Sequence, residues 1–463
     1  MLSLRVILAA VSLATAAFGA APAVDGVWRS QGWGFVYQIR QSDWQAFEVT
    51  NSTCVATSAA KRVPYNVKHV EAAFQERKGH LFFVWPGSDN DHKRITTPSG
   101  LSSIVIERIA ELPTVCTPPT ANTPLNSFEV FARTFAEQYI SFDLRHVDWE
   151  RSVLEQRKKI TARTTPTELF KVLSAMIAPL TDIHTGIEAP KLKREFDPEM
   201  RPGTDRVMQG NIERFAKGGR KQLASITNRR YLNGRVVGFC RGQWQYGLVA
   251  DGVGYLRILQ FGDYARGGPD RDIRALNGAL DKILGNRALR ALIIDVRLSF
   301  GGDDRLGLAI AGRLTAKEYM AYSIQARSDP TVPNRYTPAQ GVMVRPGKQP
   351  LYVGPIVELI GPVTMSAAET FTQALMERTP RVLRVGENTQ GVFCDPLERH
   401  LPNGWRFDLP NAVYRTSDGR AFDVIGIPPD IAAPVFREED VAAQRDPAMD
   451  IAIQSLTKKA YNN

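Results

Sequence analysis

From about residue 246 onward, short apolar runs alternate with amphipathic segments, and this alternation constrains the fold more than any other feature of the sequence. Val253-Gly254-Tyr255-Leu256-Arg257-Ile258 reads as a strand, and Ile273 to Ile283 follows as an amphipathic helix. Ala291-Leu292-Ile293-Ile294-Asp295-Val296 is almost continuously apolar, as a strand covered on both faces must be. Gly301-Gly302 then turns the chain into a helix through Leu306, Leu308 and Ile310. Ile356 to Ile360 is the next strand, followed by Gly361-Pro362-Val363-Thr364-Met365 and a helix beginning near Ser366, and Val382 to Val385 is a further strand. Strands alternating with helices define an α/β class with a largely parallel sheet and short right-handed crossovers.

The preceding residues differ in kind. Arg5 followed by the apolar stretch Val6 to Phe18, with Ala21-Pro22-Ala23 as a small-x-small cleavage site and Gly19 as an earlier option, has the pattern of a secretory signal peptide over residues 1–23. Export places the mature protein outside the cytoplasm, secreted or periplasmic, and no later segment is apolar enough to cross a membrane. Residues 24–120 alternate aromatic and β-branched positions, as in Gly34–Ile39 and Leu81–Val84, and predict a β-rich domain. Pro113 to Pro124 marks a linker, and residues 121–190 turn helical, with Phe128, Phe131, Phe135 and Tyr139 on one face. A second helix starts near Thr167 and ends at Pro179, just before Asp182-Ile183-His184-Thr185. Residues 191–245 show few periodic signals and read as a connecting region, and 436–463 as a C-terminal tail.

In an oxidising compartment four cysteines permit disulfides. Cys54 and Cys116 fall in one segment and form a plausible pair; Cys240 with Cys394 is the remaining pair, with two buried free thiols the equal alternative. No cysteine or histidine spacing suits a metal, so neither metal nor cofactor is expected. A formal charge of +10 could suggest an acidic partner, but Lys and Arg are spread along the chain without a basic run. A solvated surface accounts for them, and no nucleic-acid partner is expected.

Two positions carry candidate chemistry. Ser366 stands where a buried strand enters a helix, so unpaired amides and the helix dipole favour negative charge beside its hydroxyl. Serine is also a common helix cap, and the bland reading is strong in isolation. Gly301-Gly302 lies at the carboxyl end of another strand, the edge where sites gather in open α/β sheets. Glycine there lets a backbone amide approach a substrate carbonyl, although a plain turn explains it equally well.

Taken together, four segments resemble a known family. Asp295-Val296-Arg297-Leu298-Ser299-Phe300-Gly301-Gly302, Thr364-Met365-Ser366-Ala367-Ala368-Glu369, Val385-Gly386-Glu387-Asn388-Thr389-Gln390-Gly391 and Phe422-Asp423-Val424-Ile425-Gly426-Ile427-Pro428-Pro429-Asp430 resemble, in order, the motifs of the S41 serine peptidases. The resemblance covers about residues 125–435, with 191–245 poorly matched, and places the catalytic domain at 246–435. It implies a crotonase-like ββα spiral in place of a simple doubly wound sheet. Val392 stands where the C-terminal processing branch has its lysine, which rules out a Ser-Lys dyad at that position. The tricorn-like branch instead takes a histidine from the preceding domain and an acid from the closing motif, positions matched by His184 and Asp423.

The resemblance therefore implies Ser366 as nucleophile, His184 as general base, Asp423 as the residue orienting it, and the amides of Gly301 and Ala367 as the oxyanion hole. Asp423 stands where the family more often has glutamate, Ser299 replaces an asparagine, and Ile183 replaces a serine. The expected activity is hydrolysis of peptide bonds through an acyl-enzyme, with a peptide or protein as partner. An esterase-type acyl hydrolase and a non-catalytic ligand-binding protein on the same fold are the alternatives.

Overall fold

The computed structural model describes residues 24–459 apart from 78, 99, 251, 330, 331 and 333, so the signal peptide expected over 1–23 lies outside the described residues. Among those described, no helix is long and apolar enough to cross a membrane. The β-rich segment is a closed antiparallel barrel of eight strands running from Gly26–Ser30 to Ile104–Ile109, the first pairing with the last. Period-two alternation explains its core: Trp28, Tyr37, Ile39, Trp44, Phe74 and Val84 point inward and are almost fully buried. Outside that core the Cys54–Cys116 disulfide packs with Val36 and Phe47 and holds the proline-rich segment to the barrel wall.

Three helices follow, each with a side chain that accepts a first-turn amide. Thr123 caps Pro124–Gln138, Asp148 caps Trp149–Arg157, and Thr165 forms a capping box with Glu168 at the head of Pro166–Ile177. The second of these, mostly polar, gave no apolar periodicity. The aromatic face expected on the first helix is fully buried, and its target is distant in sequence. Phe135 stacks on Phe407 and Phe131 tilts against it, at 5.8 and 4.9 Å between ring centroids. Phe407 belongs to a four-stranded sheet in which Gly186–Ala189 lies between Arg194–Phe196 and Arg406–Leu409.

The α/β portion is built on a seven-stranded sheet. Its order is Val237–Phe239, Trp244–Ala250, Val253–Ile258, Ala291–Asp295, Ile356–Ile360, Leu383–Gly386 and Ile431–Ala432. The first two steps are antiparallel and the remaining four parallel. Leu292 and Ile294 face the helices Pro269–Leu284, Asp304–Arg313 and Ala367–Met376, while Ala291 and Ile293 face Arg220–Leu232 and Pro447–Lys459.

Two expectations are corrected here, and one open alternative is decided. Residues 191–245 do not merely connect: they supply two strands of this sheet and a helix packed on it. Residues 436–463 are not a loose tail, since Ala448, Met449, Ala452 and Leu456 sit in the core beneath the sheet. Cys240 and Cys394 are both free and buried. Burial pushes the Cys240 thiol up to about 12 and the Cys394 thiol higher still, which leaves both unreactive.

The C-terminal helix is pinned by charge as well as packing. The Arg297 guanidinium, fully buried, donates to Asp295 at 3.0 and 2.8 Å and to Asp446 at 2.6 and 2.9 Å. Burial opposes the Asp295 carboxylate, but the facing Arg297 and Arg257 hold it well below the usual range.

Candidate active site

Ser366 begins the helix Ala367–Met376 with φ 54° and ψ −126°, a conformation that only glycine adopts without strain. Its amide donates to the Val392 carbonyl at 3.1 Å and toward the Glu369 carboxylate at 3.3 Å, while the Glu369 amide donates to the Ser366 carbonyl at 2.7 Å. Strand, turn and helix are thus fixed around a half-buried serine at the carboxyl end of the Ile356–Ile360 strand.

The glycine turn lies directly against it. Gly301 has φ 87°, and a Cβ there would fall 2.6 Å from the Met365 carbonyl, 2.7 Å from the Ala367 nitrogen and 2.7 Å from the Ser366 Cβ. Only a residue without a side chain admits this approach. The turn is stitched in place by Met365 N–H to Ser299 C=O at 3.2 Å and by Thr364 Oγ1 to Val296 C=O at 3.0 Å. Among the described residues, neither the Gly301 amide nor the Ala367 amide is given to a carbonyl. Two unspent N–H groups therefore flank the serine, an arrangement able to hold an oxyanion.

His184 follows the turn after the helix Pro166–Ile177, immediately before the strand Gly186–Ala189. Asp182 organises this corner: its carboxylate accepts the His184 amide at 3.1 Å and the Tyr139 hydroxyl at 2.7 Å, and pairs with Arg145 at 3.1 Å. Burial pushes the imidazole below its ordinary value, against the pull of the Asp182 charge. The Cys394 backbone lies close to the ring.

Asp423 is buried, and desolvation, helped by the nearby Glu369 and Asp182, raises its carboxyl to about 7. It thus senses both the serine's helix and the histidine's corner. Next to it, Val424 sits at φ 69° beneath a hydrogen bond from Ile425 N–H to Asp423 C=O of 2.8 Å. That is a γ-turn of the strained sign around a β-branched residue. Yet no hydrogen bond joins Ser366 to His184 or His184 to Asp423. His184 Nδ1 and Asp423 Oδ2 are both buried without a partner among the described residues.

Glu369 was legible only as part of the serine motif, but it ties that motif to the next loop. It accepts the Thr389 hydroxyl at 2.5 Å, the Gly391 amide at 2.6 Å and the Val392 amide at 2.8 Å, and burial raises it to about 7. Arg201 and Thr204, in a stretch that offered no motif, clamp the same loop. Arg201 donates to the carbonyls of Asn388, Thr389 and Ile425, and Thr204 to Pro362 C=O at 2.6 Å and to Gln390. No local pattern announces these contacts, because each spans more than 150 residues.

Comparison with known proteins agrees with this architecture. Residues 252–433 match Peptidase family S41. A candidate peptidase from Parabacteroides merdae aligns with a TM-score of 0.58 at 22% identity, over 72% of this chain and 97% of that one. Mature CPAF aligns with a TM-score of 0.50 at 15% identity, over 74% of this chain and 97% of that one. At these identities the two likenesses show a shared fold. No curated protein sequence matches the chain. By class, then, the molecule is a serine-type peptidase. The matched segment is the one that holds both Ser366 and Gly301.

Proposed function

We propose that this is an exported peptidase that cleaves peptide bonds through an acyl-enzyme on Ser366, with His184 as general base. The observation that carries it is the strained Ser366 with Gly301 pressed against it and two amides left unspent. The Ser366 hydroxyl oxygen attacks the scissile carbonyl carbon while His184 takes its proton, and the carbonyl oxygen, now an anion, is received by the Gly301 and Ala367 amides. Collapse breaks the C–N bond, and His184 returns the proton to the departing amine. Water, deprotonated by the same imidazole, then attacks the ester and frees the acid.

An imidazole held below its ordinary value is neutral at pH 7 and ready to accept that proton. On this reading Asp423, across from it, orients the ring, and the hydrogen bonds missing from the free chain form when substrate fills the site. Catalytic hydrogen bonds are often long before substrate binds. Parallel strands flanked by an antiparallel pair are read as the crotonase-like ββα spiral. The Cys54–Cys116 disulfide supports export.

Labelling with a fluorophosphonate, with the modified peptide located by mass spectrometry, tests the reading. Ser366 in the native chain should be modified, and Ser366→Ala and His184→Ala should both abolish the signal. A folded native chain that takes no label would overturn it in favour of a binding protein. Label at Ser366 with ester but no peptide turnover would assign an esterase.

A further inference from the structure

The barrel's mouth does not end in solvent. It meets the α/β portion around a cavity of ≈ 280 Å³. Trp33, Phe35, Tyr37, Trp44 and Phe82 form its barrel side, and the segment Cys394–Leu397 roofs it from the α/β side. An eight-stranded barrel leaves room for either packed side chains or one small ligand. Here the lower barrel is packed by Trp28, Phe74 and Val84 while the mouth stays open. Asp395 and Pro396 in the roof are solvent-exposed, which gives a route of entry.

The walls state what the cavity takes. Its volume is nearly twice the ~150 Å³ that holds one benzene ring, so a two-ring molecule fits. Aromatic walls favour a flat ring system. Trp44 stacks on Phe82 at 5.5 Å and tilts against Tyr37 at 4.6 Å, so the aromatic surface is already ordered before anything binds. The indole N–H of Trp44, in a residue 2% exposed, has no acceptor among the described residues. A buried donor left unpaired is costly, and a ligand acceptor would relieve it. Asp395, the one acidic side chain in the lining, disfavours an anion. We infer that the junction of barrel and α/β domain is a binding site for a neutral, two-ring-sized aromatic group carrying a hydrogen-bond acceptor. That group belongs to a free small molecule, since the one two-ring side chain, indole, is a donor only. Ser366 is not among the lining residues, and the inference does not depend on the role given to it.

The probe is the neutral naphthyl ketone dye prodan, whose emission moves to the blue on leaving water. The full chain should bind one equivalent saturably with a blue shift. Ser58→Trp places an indole at a half-buried wall position and should weaken binding at least tenfold. Trp44→Phe keeps a ring but removes the donor and should weaken binding about fivefold, the worth of one ordinary hydrogen bond. Ser366→Ala should bind as the native chain does. Free naphthyl ketones should displace the dye, whereas naphthalene, which has no acceptor, should compete about fivefold more weakly. Absence of saturable binding, binding untouched in both wall variants while circular dichroism stays native, or binding lost in Ser366→Ala overturns the inference.

Discussion

Two residues carry the proposed chemistry. At Gly301 any Cβ, at its φ of 87°, forces the backbone on either side of Ser366 to shift. Gly301→Ala should fold, yet push the two amides apart and lower kcat/KM on a peptide substrate by about 10²–10³, the usual worth of one oxyanion donor. Steady-state kinetics beside a thermal melt would separate that loss from unfolding. His184 makes the second prediction. Burial depresses its folded value, so protonation of the proposed base begins at a lower pH than for a free imidazole. The acid limb of kcat/KM against pH should therefore lie below about 6.5, the unperturbed imidazole value. A limb at or above that value would mean a different group titrates.

At the scale of elements, the strand Ile356–Ile360 carries a buried acid in the middle of the sheet. Glu358 is bonded to Thr372 at 2.9 Å, and its other oxygen has no partner among the described residues. Burial raises it from 4.5 to about 8. Between those values the folded chain keeps a proton that the unfolded chain has released, so stability falls as pH rises through this window. Glu369 and Asp423, both raised to about 7, act in the same direction. Glu358→Gln should make the fall in Tm between pH 5 and pH 8 shallower. What the sequence disclosed at this scale follows the range of the forces involved. The strands before Gly301 and Ser366 were readable because burial on both faces writes a continuous apolar run. The serine-to-helix turn was readable because strand and helix signals meet there. The helix Trp149–Arg157, which buries only Trp149, left no periodic trace. Arg201 and Thr204 were invisible because their partners come from loops far along the chain. The missing links between His184, Ser366 and Asp423 concern a few ångströms of placement, which residue order does not encode.

For the molecule as a whole, Arg297 joins the glycine-turn strand to the C-terminal helix. Arg297→Met would leave Asp446 without its cation and Asp295 with Arg257 alone, at 3.6 Å, in a site with no solvent. Removing one partner of a buried ion pair costs about 3–5 kcal/mol, and urea denaturation should show a loss of that size. A stability within about 1 kcal/mol of the native chain would show that the network is not needed to hold the helix.

The pairing of Gly186–Ala189 with Arg406–Leu409 has one more effect, on timing. The strand that follows His184 has no partner on one edge until more than two hundred further residues have been synthesised. A chain emerging from the ribosome thus carries His184 long before the strand that completes the sheet beside it. Joining strands so far apart in sequence is slow, because the loop-closure entropy must be met before the contact rewards it. The corner that carries His184 is consequently among the later parts of the molecule to come together.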